Sequence, residues 1–160
     1  MTTADPIMTR ITQGVTDFRT GDPDRARTAL LEVWADIGPA GDPLHRCTLA
    51  HYLADTYDDP AEALVWDVRA LDAADALTDT RLNSYHAGIQ VAGFYPSLHL
   101  NLADNFRRLG AFLAATHHVE AARERLDILP DDDYGALIRG AVTEVAAAIA
   151  AGDTTRRPTH

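Results

Sequence analysis

A polar stripe in the second half of the chain is the first feature whose residue types and spacing could do chemistry. Five polar residues of "SLHLNLADNFRRLG" are separated by four, three, one and three positions, so they share one face of a helix: Ser97, Asn101, Asp104, Asn105 and Arg108. Asparagine can hold the backbone amides of an extended ligand, and arginine can donate two parallel hydrogen bonds to a carboxylate. The stripe predicts a binding surface for a protein or peptide, and a solvated helix face is the other interpretation.

A second group of chemically capable residues lies in "CTLAHYLAD", where Cys47, His51 and Asp55 follow one another at intervals of four. All three are metal-ligand types, and a pair one helical turn apart can share a zinc ion. Three residues along two turns rarely converge on one ion, and no second cluster completes a set of four ligands. We therefore predict no metal and no cofactor, and we assign His51 and Asp55 to the binding surface.

The sequence lacks the short motifs that mark common catalytic sites. It contains no glycine-rich phosphate loop and no G-x-S-x-G, H-E-x-x-H or C-x-x-C motif. Cys47 and His51 stand on one helix without a third group to orient them, so no catalytic residue is assigned. The alternative to a non-enzymatic binding module is a small-molecule- or metal-binding helical protein, or an enzyme, that uses Cys47, His51, His86 and His99.

Recurring Asp-Pro pairs mark the elements that must position these residues. The pairs begin at Asp5, Asp22, Asp42 and Asp59. Aspartate is a strong helix N-cap residue, and proline is favoured in the first turn, where its missing N–H costs nothing. Each pair therefore predicts a helix start, and apolar residues spaced three and four apart extend the helices over about 6–19, 23–37, 43–57 and 60–77.

The apolar spacing also predicts which side of each helix is buried and continues the helical pattern to the end of the chain. In the fourth helix, Leu64, Val68 and Leu71 are expected to face inward, and Trp34 and Trp66 are expected in the core. Further helices are predicted over 79–93 and 96–109, followed by another before "LPDDDYG" and a last one from Tyr134 that Arg139 helps to dock. The total is seven or eight helices, with 79–93 and 96–109 either separate or one bent helix.

The pairs of helices repeat with a fixed period. Asp5 to Asp42 and Asp22 to Asp59 both span 37 residues, so the repeating unit is a helix hairpin. A hairpin repeated every 30 to 45 residues is typical of an α-solenoid, because one pair cannot bury its apolar face without the next. We predict an all-α solenoid of about three antiparallel hairpins with a C-terminal capping helix, a single domain over 1–151 and a flexible tail over 152–160.

The third unit resembles a tetratricopeptide repeat. Its small and bulky residues stand at the offsets of that family: Leu102, Ala103, Phe106, Gly110, Ala115, Val119 and Ala122. The first unit matches at Gly14, Gly21, Ala26 and Leu30, and the second at Ala50, Leu53 and Ala63. The resemblance covers roughly residues 6–128, with an insertion near 79–93.

The resemblance implies a stack of helix pairs with a concave groove that is lined by the first helix of each pair. In that family the groove binds an extended peptide or a partner protein, and no cofactor or reaction is implied. Asn101 lies near the position where some members place an asparagine that grips a C-terminal carboxylate. Here Arg107 or Arg108 would replace the companion lysines of such a clamp, because the chain contains no lysine.

Composition narrows the partners and the compartment. The net charge is -10, from 24 acidic and 14 basic residues, which favours basic or neutral partners over nucleic acid. Cys47 is the only cysteine, no stretch is typical of a signal peptide or a membrane span, and we expect a cytoplasmic protein. Arginine without lysine is typical of a GC-rich, actinobacterial-type genome, and an exposed end of the stack could pair two copies as a homodimer.

Overall fold

A computed structural model describes residues 4–85 and 90–158, and this part of the chain is entirely helical. It forms eight α-helices and no strand, which confirms the all-α prediction. The helices are α1 (Pro6–Thr20), α2 (Pro23–Ile37), α3 (Pro43–Asp55), α4 (Pro60–Ala76), α5 (Asp79–Tyr85), α6 (Tyr95–Arg108), α7 (Phe112–Arg123) and α8 (Asp133–Ala150). Two short 3₁₀ segments span Val91–Phe94 and Leu126–Ile128. No helix in the described ranges has the length and apolar character that a bilayer crossing requires.

The four Asp-Pro pairs start helices α1 to α4, as predicted. Each aspartate carboxylate accepts hydrogen bonds from backbone N–H groups of the first turn, for example from Ile7 and Met8 onto Asp5 at 3.1 Å each. The predicted ends lie within two residues of the observed ones, the largest difference being in α3, which stops at Asp55. The capping chemistry thus fixes these helix starts from the sequence alone.

The predicted helix over 79–93 is confirmed over Asp79–Tyr85 and is wrong from Gln90 onward. Helix α5 covers only Asp79–Tyr85, residues 86–89 lie outside the described part, and Gln90 has an extended backbone. The backbone N–H of Val91 donates to the Asp79 side chain at 2.9 Å, so the chain has turned back toward the start of α5. A 3₁₀ segment then leads directly into α6, which is therefore a helix separate from α5.

The helices pack mainly in sequential pairs. The three most extensive interfaces are those of α3 with α4, α6 with α7 and α1 with α2, and that of α4 with α6 follows them. Helix α3 also contacts α1 and α2, helix α6 contacts α4, and helix α8 contacts α6 and α7. Each new pair therefore lies against the pair before it, and α8 covers the last pair.

The buried face of α4 differs from the predicted one. Val68 is 50% exposed, and Leu64 and Leu71 are only partly buried. The face that packs inward carries small residues around one tryptophan and one aspartate: Ala63, Trp66, Asp67, Ala70, Ala73 and Ala74. Alanines let neighbouring helices approach closely, so the stripe of small side chains, and not the stripe of large ones, turns to the core.

The two tryptophans meet at the junction of the first two pairs. The rings of Trp34 and Trp66 pack edge to face with centroids 5.1 Å apart, and Arg69 lies over the ring of Trp66. Trp66 is buried and Trp34 packs against the same core, which confirms the core prediction for Trp66 and places Trp34 at its margin.

The positions that carry the family resemblance are contact positions within the pairs. In the third unit the buried ones are Leu102, Ala103, Ala115, Val119 and Ala122. Gly110 has φ +77° in the turn between α6 and α7, where an L side chain is strained. Gly14 faces Leu30 so closely that a Cβ there would stand 2.5 Å from a Leu30 methyl group, which explains the glycine of α1.

Candidate binding groove

One groove of about 910 Å³ gathers every residue that the sequence assigned to a binding surface. Its walls come from α1, α2, α3, α6 and α8, and its floor includes residues of α4. The predicted residues that line it are Ser97, Asn101, Asp104, Asn105 and Arg108 of α6 and His51 and Asp55 of α3. Two stripes from helices 50 residues apart in sequence thus face one space.

Besides Asn101 and Asn105, the other three residues of the α6 stripe also have partners within the fold. The Ser97 hydroxyl donates to the carbonyl of Phe94 at 3.1 Å, and the Arg108 guanidinium donates to the carbonyl of Asp58 at 2.8 Å. Asp104 accepts from the side chain of Arg107 at 2.9 Å. These contacts fix the first turn of α6 and tie its last turn to the loop after α3, so part of the stripe has a structural role as well as a place on the groove.

A buried carboxyl group, Asp67 of α4, lies at the floor of the groove. The residue is only 3% exposed. Asn105 donates to its Oδ2 atom at 2.6 Å, whereas its Oδ1 atom is buried and has no hydrogen-bond partner among the described residues. The sequence did not predict this site, because Asp67 stands in the middle of an alanine-rich helix with no motif around it.

The environment of Asp67 favours its protonated form. Burial raises the pKa of Asp67 well above its ordinary value, and the nearby charges of Asp55 and Asp104 raise it further. The side chains of Asn105 and Asn101 lower the pKa in part by hydrogen bonding to the carboxyl group, although the geometry leaves Oδ1 without a well-formed bond. The floor of the groove therefore contains a carboxyl group whose ionisation is energetically unfavourable.

An amide and an imidazole extend this polar floor toward α3. The Asn101 amide nitrogen lies 3.5 Å from Nδ1 of His51, at the outer limit for a hydrogen bond. His51 also packs against the ring of Tyr52, which lines the groove beside it. The arrangement joins α3, α4 and α6 through hydrogen-bonding side chains that face the groove.

Asp67→Asn is expected to change how stability depends on pH. A carboxyl pKa that is higher in the folded state than in the unfolded state makes stability greatest below the ordinary value of 3.8, and stability falls as the pH rises toward the folded-state pKa. The amide variant cannot lose this proton. At pH 8 we expect the variant to be more stable than the wild type by about 1–2 kcal/mol, and at pH 4 by much less.

Urea denaturation at several pH values from 4 to 8 measures this difference. Asp58→Asn is the control, because Asp58 is an exposed carboxylate at the groove edge and should show no comparable trend. Parallel curves for the wild type and Asp67→Asn across this range would contradict the assignment of Asp67 as a group with a raised pKa.

Arg107 does not lie where a carboxylate clamp would need it. The side chain is fully buried, with no exposed surface, and it does not line the groove. It binds Asp104 and donates to the backbone carbonyl of Asp153 at 2.6 Å. Of the two arginines considered for the clamp, only Arg108 lines the groove, and it binds the carbonyl of Asp58.

The segment after α8 follows one edge of the groove. Its residues Arg156, Arg157 and Pro158 are part of the groove lining. Arg156 forms an ion pair with Asp58 at 2.7 Å, and Arg157 forms one with Glu144 of α8. The part of the predicted flexible tail that the structure describes, up to residue 158, is thus placed against the groove by arginine–carboxylate contacts.

The described residues of the alternative small-molecule or metal site, Cys47, His51 and His99, have different surroundings. Cys47 is buried in the apolar core, where burial raises the pKa of its thiol to about 12. His99 lies beside His118, with the two Nδ1 atoms 3.1 Å apart, and burial is the largest cause that lowers the pKa of His99 to about 4. His51 faces the groove, and His86 lies outside the described residues.

A shared metal site is not formed by the part of the chain that the structure describes. Within residues 4–85 and 90–158, no group of three or more His, Cys, Asp or Glu residues is arranged to hold a metal ion. In particular, Cys47 points to the core while His51 and Asp55 line the groove, so these three do not converge.

Comparison of the chain with known proteins identifies no relative. No family model matches the chain, and neither the curated proteins nor the solved structures include a significant match.

Proposed function

We propose that this chain is a non-enzymatic, tetratricopeptide-like binding module whose groove holds an extended segment of a partner protein. The helices would form a short solenoid of three pairs, with α8 as the cap. The observation that carries the proposal is the groove itself: seven polar residues, selected by their spacing in sequence, line a single space of about 910 Å³.

The order of helix contacts supports the solenoid. Successive pairs lie against each other, and the starts of α1 and α3 lie together at one end. His45 contacts the cap residue Asp5 at 2.7 Å, and Arg81 contacts the cap residues Asp5 and Asp42 at 3.8 and 2.7 Å. The starts of α1 and α3, whose cap residues are 37 residues apart, are thus joined by side-chain contacts, which supports a repeat of helix pairs.

The composition of the groove wall supports an extended ligand. Its lining comes from α1, α2, α3, α4, α6 and α8, so a ligand that fills it would contact several helices at once. Apolar side chains such as Phe18, Tyr52 and Leu137 line it together with the amides and carboxylates. Apolar contact area with a few oriented polar groups is the usual composition of a site that binds with specificity.

Selection of peptides against the immobilised protein tests this function. A random dodecapeptide display library is selected on the wild type, and the affinity of enriched peptides is measured by fluorescence anisotropy. The groove variant Asn101→Ala/Arg108→Ala is expected to bind them about tenfold more weakly or worse, because it removes two polar groups of the wall.

The matched control is Leu113→Ala/Thr116→Ala, which changes two residues of α7 outside the groove lining. It should bind the selected peptides as the wild type does. If the two double variants bind equally well, or if no peptide is enriched, the groove is not a peptide site and the proposal is wrong.

A further inference from the structure

We infer that the groove takes an arginine side chain of the partner segment, and that the carboxylate of Asp67 is its acceptor at the groove floor. This inference rests on the proposed function and adds the chemistry of the ligand.

The first observation is the bonding state of Asp67. Its Oδ2 atom is held by Asn105 at 2.6 Å, and its Oδ1 atom is buried without a partner among the described residues. Buried polar atoms of folded proteins nearly always have a hydrogen-bond partner, and those that do not need an explanation. Asp67 belongs to the groove lining and keeps 3% of its surface exposed, so a ligand donor approaches this carboxyl group from the groove and reaches Oδ1 once the side chains around it shift.

The second observation is the charge around that atom. Asp55 and Asp104 act on Asp67 through their negative charges, and no ion pair among the described residues includes Asp67. Asp104 is already bound by Arg107, so its charge is partly balanced, whereas the charge of Asp67 is opposed only by the amides of Asn101 and Asn105. A cationic ligand would supply the positive charge that Asp67 lacks.

An arginine fits the arrangement better than a lysine. A guanidinium group carries five N–H donors in a plane and is more weakly hydrated than an ammonium group, so it is better suited to a largely buried carboxylate. Arginine side chains already lie along the groove, where Arg156 binds Asp58 and Arg27 lies over the ring of Tyr57 at 4.5 Å.

The protonation of Asp67 links arginine binding to pH. Because burial raises the pKa of Asp67, the carboxyl group gives up its proton when a guanidinium binds, and binding strengthens as the pH rises. The other titratable or charged groups that line the groove are Asp55 and His51 of α3, Asp104 and Arg108 of α6, Asp24 and Arg27 of α2, Arg19, Asp58, Arg156 and Arg157, and the tyrosines Tyr52, Tyr57 and Tyr134.

A titration with acetyl-arginine amide tests the inference on the full chain. The probe is compared with acetyl-citrulline amide, which has almost the same shape without the charge, while NMR follows the side-chain amide signals of Asn101 and Asn105. We expect saturable shifts with the arginine probe and affinity weaker by about tenfold or more for citrulline. Equal binding of the two probes would overturn the inference.

Asp67→Asn and Asp36→Asn separate the groove floor from an exposed carboxylate outside the groove lining. The first should weaken the arginine probe by about tenfold or more, and the second, which removes an ion-paired carboxylate of α2, should leave its affinity within about twofold. Retained affinity in a folded Asp67→Asn variant would contradict the assignment.

Calorimetry on the wild type keeps the inference testable even if Asp67→Asn does not fold. Titrations of the arginine probe in buffers of different ionisation enthalpy measure the protons released on binding, and His51→Gln removes the contribution of the imidazole. We expect proton release and tighter binding as the pH rises from 4 to 8. Binding that is independent of pH over this range, without proton release, would reject Asp67 as the acceptor.

The outcomes of the peptide selection are separate from these. Groove-dependent peptides without an arginine would remove the arginine assignment and leave peptide binding in place. A selection without any groove-dependent peptide would remove the function itself, whatever the small probes do.

Discussion

Arg107→Met is expected to lower the free energy of unfolding by about 3 kcal/mol, because it removes one partner of a buried ionic contact. The guanidinium group has no exposed surface, and it binds both the carboxylate of Asp104 and the carbonyl of Asp153. Methionine fills much of the same volume but offers neither charge nor donors. A quarter of the Asp104 side chain is exposed, so water can hydrate its carboxylate in the variant. The expected loss of stability is therefore near the lower end of the range for buried ionic contacts.

Urea denaturation followed by circular dichroism measures this loss, with Arg108→Met as the matched control. Arg108 is the next residue, but its contact with the Asp58 carbonyl is exposed, so we expect a cost below about 1 kcal/mol. Equal losses in the two variants would show that the buried contacts of Arg107 do not stabilise the fold as described.

The local rules of helix formation explain why so much of the fold could be predicted. An Asp-Pro pair acts within one turn of the chain, so the starts of α1 to α4 depend on no distant contact. Local rules are not sufficient over 79–93. The composition of this segment predicts a helix, but Gln90 is extended and the N–H of Val91 donates to Asp79. That bond depends on where the chain turns back, and helix propensity carries no information about such a turn.

Residue spacing could place side chains on one face of a helix but could not identify what that face meets. The α6 and α3 stripes were found because they depend only on the 3.6-residue period. Asp67 was missed because it is a single polar residue on a face of alanines, and the spacing of the larger Leu64, Val68 and Leu71 predicted the wrong side of α4 as buried. A buried polar residue becomes recognisable only when the partner helix, here α6 with Asn105, is in place.

The contact of the C-terminal segment with the groove also depends on residues that are far apart in sequence. Arg156 and Asp58 are 98 residues apart, and the ion pair that joins them has no local signature. Surface pairs of this kind contribute little stability one by one. The buried bond from Arg107 to the Asp153 carbonyl is therefore the contact that fixes the start of this segment against α6.

Gly135→Ala is expected to lower the free energy of unfolding by about 2–3 kcal/mol, because the added methyl group would overlap a backbone atom. A Cβ at this position would stand 1.9 Å from the carbonyl oxygen of Pro130, which must move for the alanine to fit. That carbonyl cannot move alone. Arg139 donates to the carbonyls of Leu126, Leu129 and Pro130, so the whole loop before α8 is tied to the helix that Arg139 helps to dock.

Gly140→Ala on the same helix is the matched control for this steric argument. A Cβ there meets no atom within 4 Å, and alanine has the higher helix propensity, so we expect stabilisation by about 0.8 kcal/mol. The two substitutions are chemically identical and lie five residues apart. Urea denaturation should show that they change the free energy of unfolding in opposite directions. A gain at both positions would mean that the loop from Leu126 to Pro130 yields easily, and that the bonds of Arg139 do not hold α8 in the position from which it lines the groove.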